Sequence, residues 1–203
     1  MKTDIIDNNK IFLERIEFYK KLGLDQLKER EFVLKKTLPL KGNILEVGTG
    51  KGHFSLMLAK NGYRFTTIDI DKEGQDIARL TLAYYRLQNF ANFKIEDACC
   101  LSFPDKSFDF IFCIHVYHHL KDSHRVLKEM IRVLKPAGRI ILSDFSKAGM
   151  NIINKCHTLE GRKHDCFQND LSAAQVFFSN RGFAVFREEN FVQDLIIASR
   201  KEQ

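Results

Sequence analysis

Between residues 43 and 143, short apolar runs alternate with longer stretches of helical period, and this alternation limits the fold more than any other feature of the chain. Asn43 to Val47, Phe65 to Ile70, Phe93 to Ile95, Phe108 to Ile114 and Arg139 to Ser143 read as buried strands. Between them lie a helix near His53 to Lys60, one marked by Ile77, Leu80, Tyr84 and Leu87, and one carrying Val126, Leu127, Met130, Ile131 and Leu134, which Pro136 and Gly138 stop. Strands separated by helices need crossover connections, so they predict a parallel sheet covered on both faces.

Both ends depart from this rhythm. Phe12, Ile16 and Tyr19, then Leu27, Leu34 and Leu38, predict two helices before Pro39. Near the C-terminus a helix around Asp170 to Asn180 precedes the runs Phe183 to Glu188 and Phe191 to Ser199. These sit two residues apart, too close for a parallel crossover, and predict a hairpin. With 203 residues, 44% hydrophobic and 29% charged, the chain has the composition of one globular domain, or one domain with a small appendage. No apolar run reaches the roughly 18 to 20 residues of a membrane span, and Met1 to Lys10 lack the apolar core of a signal peptide. Cytoplasmic localisation without a membrane partner is the expectation. Five cysteines with no C-x-x-C pair argue against structural disulfides and zinc ribbons.

The net charge of +6 arises mostly between residues 121 and 147, where seven basic residues face three acidic ones. Arg125, Lys128, Arg132 and Lys135 share one helix face. A nucleic-acid footprint and a solvated helix face are the two readings of such a stripe; the second is preferred, and a nucleic-acid partner is not expected.

Glu46-Val47-Gly48-Thr49-Gly50-Lys51-Gly52 lies where the first strand turns into a helix. Glycines there permit a sharp turn and close approach to a ligand, and the helix amides beyond it can receive an anionic group. The dinucleotide pattern G-x-G-x-x-G fails, because His53 occupies its last position. Asp69 ends the second strand, 23 residues after Glu46, where a carboxylate can accept from both hydroxyls of a ribose. Asp97 and Ala98 follow the third strand, where an acid can accept from an adenine amine. The plainer readings are that Glu46 caps a helix and Asp97 serves a turn.

These segments resemble the class I S-adenosylmethionine-dependent methyltransferases, most closely the small-molecule type-11 group. Residues 44–52, Thr67 to Asp71, Asp97-Ala98, Phe108 to Cys113 and Leu134 to Ile140 match in the family's order and cover about half the chain. The resemblance implies a Rossmann-like α/β fold: a seven-stranded, mostly parallel sheet with an antiparallel C-terminal strand and helices on both faces. It also implies a helical lid over residues 1–40 and a cosubstrate-binding domain over 41–203. S-adenosylmethionine would be the cosubstrate and S-adenosylhomocysteine the product. Glu46, Gly48, Thr49 and Gly50 would cradle the aminoacyl part and ribose. Asp69 would hold the ribose hydroxyls, Ile70 would pack on adenine, and Asp97 with Ala98 would read its edge. Cys113 and Ile114 would lie near the methionyl portion, and Tyr19, with Arg30, would belong to the lid.

For chemistry the candidates are His118 and His119, in the loop after the fourth strand, since histidine titrates near neutrality. They either serve the acceptor or order the loop; His115 is read as a pocket wall. Cys156, His157, His164 and Cys166 form a second cluster whose spacing matches no standard finger, so pocket or surface roles are expected there and no metal. The resulting expectation is methyl transfer to a small-molecule acceptor by a monomer or homodimer. The alternatives are an RNA or protein methyltransferase and a non-catalytic cosubstrate binder.

Overall fold

The structure is a computed structural model, and the residues it describes are 4–164, 166–167 and 169–201. Seven strands form one sheet: β1 (Ile44–Val47), β2 (Phe65–Asp69), β3 (Ala91–Ile95), β4 (Phe108–Ile114), β5 (Leu134–Phe145), β6 (Phe183–Glu189) and β7 (Gln193–Arg200). Their order across the sheet is β3-β2-β1-β4-β5-β7-β6. The first five pair in parallel, and β7 runs antiparallel between β5 and β6. The hairpin therefore inserts its second strand inside the sheet and leaves its first at the edge. Chain order reverses between β1 and β4, which opens a crevice beyond the carboxyl ends of those strands.

Among the described residues seven α-helices complete the fold: α1 (Ile5–Lys21), α2 (Gln26–Thr37), α3 (His53–Lys60), α4 (Lys72–Tyr84), α5 (Ser123–Val133), α6 (Lys147–Leu159) and α7 (Leu171–Ser179). Side chains of β4 alternate between two cores, as strand geometry requires. Ile111 and Cys113 face α5 and α7 through Met130, Phe177 and Phe178. Phe110, Phe112 and Ile114 face the other side, packed with Phe12, Val33, Phe54 and Leu82 from α1 to α4. The N-terminal helices thus share a core with the sheet. Emptying the Phe112 site by truncation to alanine costs about 3–5 kcal/mol on the usual scale for buried phenylalanine.

Two features differ from the sequence-based expectation. The helix ahead of Pro136 stops at Val133, and Leu134 is already extended and paired with Phe108. The residue before a proline avoids helical geometry, so β5 starts early and passes Pro136 through a register shift opposite Asp109. Helix α6 was not anticipated. Its buried stripe is only Gly149, Ile153 and Cys156, a weak periodic signal, and Gly149 is there because a Cβ would stand 2.0 Å from the Val192 carbonyl oxygen. Among the described residues, no helix is long and apolar enough to cross a membrane.

Candidate active site

The glycine turn at the end of β1 is held by its own backbone. The amides of Gly48 and Thr49 donate to the Ile68 carbonyl at 2.9 and 3.0 Å. The Gly50 amide donates to Asp69 Oδ2 at 2.7 Å. Gly48 has φ +85°, and a Cβ there would lie 2.4 Å from Val116 Cγ2, so conformation and space both demand glycine. Thr49 likewise turns inward: its hydroxyl lies 2.6 Å from Thr67 Oγ1 and accepts from Gln75 Nε2 at 3.0 Å. Its side chain ties the turn to β2 and α4.

A cleft of ≈ 940 Å³ lies beyond the turn, lined by Gly48, Gly50, Asp69, Ile70, Asp97, Ala98 and Val116 among others. Asp69 also accepts the Asp71 amide at 2.9 Å. A carboxylate has about four lone-pair sites, so it retains capacity for two hydroxyls. Ile70 is 72% exposed on the cleft wall, an apolar surface for a flat ring. Asp97 Oδ1 accepts the Cys99 amide at 2.8 Å. The turn role and a place on the cleft wall therefore coexist at Asp97.

Behind the turn a cavity of ≈ 100 Å³ is lined by Arg30, Glu46, Gly48, Lys51, His53 and Ile114, with neighbours from both loops. Glu46 is 2% exposed and accepts from Ser55 Oγ at 2.5 Å. Burial pushes its carboxyl up to about 7, against the lowering effect of hydrogen bonds with Ser55 and Thr67 and of Arg30. Burial also brings Arg30 down to about 10, with Glu46 and Glu29 opposing. Arg30 Nε and His53 Nδ1 are buried without hydrogen-bond partners among the described residues. Unpaired buried polar atoms are costly and point to a polar ligand. Ile114 reaches this cavity, but Cys113 does not: it lies wholly in the core on the opposite face, as strand alternation requires. The expected contact of Cys113 with the methionyl portion is corrected accordingly.

A third cavity, of ≈ 230 Å³, adjoins both. It is lined by Arg15, Tyr19, Gln26 and Arg30 from the N-terminal helices, by Lys51 and His53, by His115, His118 and His119, and by Phe145, Ile153, His157 and His164. His115 adopts φ +57°, stacks on Phe145 at 4.2 Å, and has both ring nitrogens without hydrogen-bond partners among the described residues. His118 Nδ1 lies 2.5 Å from Asp144 Oδ1, and Asp144 Oδ2 accepts the His118 amide at 2.8 Å. Asp144 thereby sets the tautomer that carries a proton on Nδ1. Burial is the main reason His157 and His164 are each brought down to about 4.

Tyr19, expected with Arg30 in a lid over the cosubstrate, lines this cavity. Its hydroxyl donates to Glu160 at 2.8 Å and accepts from Arg15 at 2.8 Å, fastening α1 to the end of α6. The cysteine–histidine cluster divides: His157 and His164 line the cavity, Cys156 packs in a core with Tyr19 and Leu24, and Cys166 is exposed. Asp144, Asn154, Lys51 and Glu160 were not singled out from sequence. Of these, Asp144 had a usable signal, as an acid at the carboxyl end of a parallel strand.

On α5, Arg132 is bound by Glu129, Asp105 and the carbonyls of Leu101 and Phe103; Lys135, expected on the same helix face, lies on β5 instead, because the helix stops at Val133, and is bound by Asp109. The stripe is partly neutralised within the chain.

A cleft held between a glycine turn and an acid at the tip of β2, on this strand order, defines a protein class, and comparison with known proteins agrees. Residues 45–142 match the family described as the methyltransferase domain. The PH0226 protein of Pyrococcus horikoshii OT3 has the same fold, with a TM-score of 0.73 at 21% identity over 86% of this chain and 90% of that one. Over residues 45–142 the chain carries a methyltransferase domain. Among individual proteins it is 36% identical to the 2-methyl-6-phytyl-1,4-hydroquinone methyltransferase of Synechocystis over 111 residues, 55% of this chain and 34% of that one. It is 35% identical to the ubiquinone/menaquinone biosynthesis C-methyltransferase UbiE of Rickettsia massiliae over 133 residues, 62% of this chain and 53% of that protein. The chain thus spans about a third to a half of the length of these curated relatives.

Proposed function

We propose that this chain transfers a methyl group from S-adenosylmethionine to a compact, polar small molecule held in the histidine-lined cavity. The observation that carries the reading is the junction of three spaces: His115 borders the large cleft, the small cavity behind the glycine turn, and the histidine-lined cavity alike. A nucleoside in the cleft and an aminoacyl group in the small cavity bring the sulfonium to that junction, facing an acceptor in the third space.

When bound, the cosubstrate supplies a methyl group activated on a sulfonium. The chain's own residues do the rest. Asp69 holds the ribose hydroxyls, Ile70 packs on adenine, and Asp97 with Ala98 reads its edge. Gly48 and Gly50 shape the passage between cleft and small cavity. Arg30 and Lys51 meet the carboxylate, and Glu46, buried beside Arg30, meets the ammonium. Alignment of acceptor and sulfonium is worth roughly 7–11 kcal/mol where near-attack geometry is reached. The pair His118 and His119 loosens the acceptor's hold on its proton, His118 being oriented by Asp144. Helices α1 and α2 act as the lid, since Arg15, Tyr19, Gln26 and Arg30 roof the acceptor space.

A cavity rich in arginine, lysine and histidine side chains suits a polar acceptor better than a long isoprenoid tail, although the named relatives are quinone methyltransferases. We place the protein in the cytoplasm; its five unpaired cysteines support a reducing compartment. Calorimetry with S-adenosylmethionine and S-adenosylhomocysteine, followed by mass spectrometry of a thiol, amine, phenol and metalloid panel, tests the reading. Binding with methylated product supports it; binding without product across the panel leaves a non-catalytic cosubstrate binder in its place.

A further inference from the structure

Two imidazole nitrogens in the acceptor cavity face each other without a proton assigned between them. His118 Nδ1 is directed at the Asp144 carboxylate, 2.5 Å away, and so carries that ring's proton in its neutral form. His164 Nδ1 is directed at Asn154 Oδ1, 2.6 Å away, an amide oxygen that only accepts. Each neutral ring then presents a lone pair on Nε2, and the two Nε2 atoms are 3.2 Å apart. Two lone pairs at that distance repel unless a cation joins them.

A shared proton joins two nitrogens along one line. Here a third converges: one ligand atom each from His118, His119 and His164 lies within 4.8 Å of the others. Nitrogens bound at about 2.0–2.1 Å to a tetrahedral ion stand about 3.3–3.4 Å apart, close to the separation of the His118 and His164 atoms. The supporting groups complete the pattern. Metal-bound histidines donate their second ring N–H to a carboxylate or an amide oxygen, which fixes the tautomer and orients the ring. Asp144 and Asn154 stand in those two positions. The elements are also independent: His118 and His119 follow β4, His164 follows α6, and Asp144 ends β5.

We propose that His118, His119 and His164 bind a divalent transition-metal ion, with zinc the best match, in the wall of the acceptor cavity. Three nitrogen ligands leave a fourth position open, the arrangement of catalytic zinc sites. All three rings line the cavity, so an acceptor hydroxyl or thiol occupies that position. A bound ion lowers the pKa of such a group. The acceptor then releases its proton to water, and its lone pair forms the bond to the methyl carbon. The carbon–sulfur bond of the sulfonium breaks, and its electron pair stays on sulfur. His118 and His119 act through the ion in this scheme. The site departs from the sequence-based expectation of no metal, because its ligands come from two loops whose meeting no spacing reveals. The ion's role rests on the methyl-transfer reading; its binding does not.

Chelator-stripped full-length protein titrated with zinc, and separately with cobalt, tests the site. One zinc per chain and the visible absorption of tetrahedral cobalt are expected. Both should be lost in His118→Ala and His164→Ala, and Asp144→Asn should weaken zinc about 10–100-fold, as loss of a supporting carboxylate does elsewhere. S-adenosylhomocysteine binding, measured on every variant, reports that each is folded. Zinc affinity unchanged in both alanine variants, or no zinc binding by a wild type that binds S-adenosylhomocysteine, overturns the site. Zinc binding by a wild type that ignores S-adenosylhomocysteine sustains the site and sinks the methyl-transfer reading instead.

Discussion

Asp69 Oδ2 accepts the amide of Gly50 at 2.7 Å, so the acid at the tip of β2 braces the glycine turn that follows β1. The same carboxylate lines the cleft. Asp69→Ala is expected to weaken S-adenosylhomocysteine binding by about 1.5–3 kcal/mol, the scale of hydrogen bonds to a charged group. Calorimetry checks this, and an unchanged affinity removes Asp69 from the site.

Gly48 faces Val116 across the junction of the cavities. Gly48→Ala drives a Cβ to 2.4 Å from Val116 Cγ2 at φ +85°. The variant should lose cosubstrate affinity at least tenfold. Adding Val116→Ala relieves the clash and leaves the backbone strain of roughly 1–2 kcal/mol, so only part of the affinity returns. Full return would show that space alone mattered.

Glu46 gives the fold a pH dependence of known sign. Its carboxyl is raised to about 7 when folded, from the ordinary 4.5. Between those values the folded chain keeps a proton that the unfolded chain has released. Raising pH across that window therefore removes stability, by at most about 1.4 kcal/mol per unit. Glu46→Gln does not titrate. Urea unfolding at pH 5 and pH 7.5 should show the variant gaining relative to wild type as pH rises; a constant difference would mean that Glu46 ionises freely.

Tyr19 links α1 to α6 through Glu160. Tyr19→Phe removes a part-buried hydrogen bond and is expected to cost about 1 kcal/mol in thermal or urea unfolding. The acceptor's KM should rise while cosubstrate affinity holds, because Tyr19 lines only the acceptor space among the three described. Loss of both affinities together would place it elsewhere in the mechanism.

The basic face of α5 is partly paired within the chain, and this predicts weak, non-specific nucleic-acid binding at most. Retention on immobilised RNA should vanish at physiological salt. Retention that persists there would revive the RNA methyltransferase alternative.

Much of the cleft lining was legible in the chain. The glycine turn, Asp69 and Asp97 sit at the ends of strands whose apolar period marks them, so their places follow from local pattern. Cys113 differs from Ile114 because two adjacent residues of a strand face opposite sides, and only the packed sheet shows which core each one enters. Thr49 lines the small cavity, while its hydroxyl bonds to Thr67 and Gln75, contacts that the motif does not reveal. Helix α6 escaped notice because Gly149 interrupts its apolar stripe where the helix meets Val192.

Local order decided the strands, most of the helices and the turn, because backbone periodicity and glycine conformation act over a few residues. The placement of β7 inside the sheet, the pairing of His118 with Asp144, and the approach of His164 from the loop after α6 were decided by tertiary structure. The two histidine contacts join residues 26 and 46 positions apart, and only the closing of the sheet and the docking of α6 bring them within bonding distance.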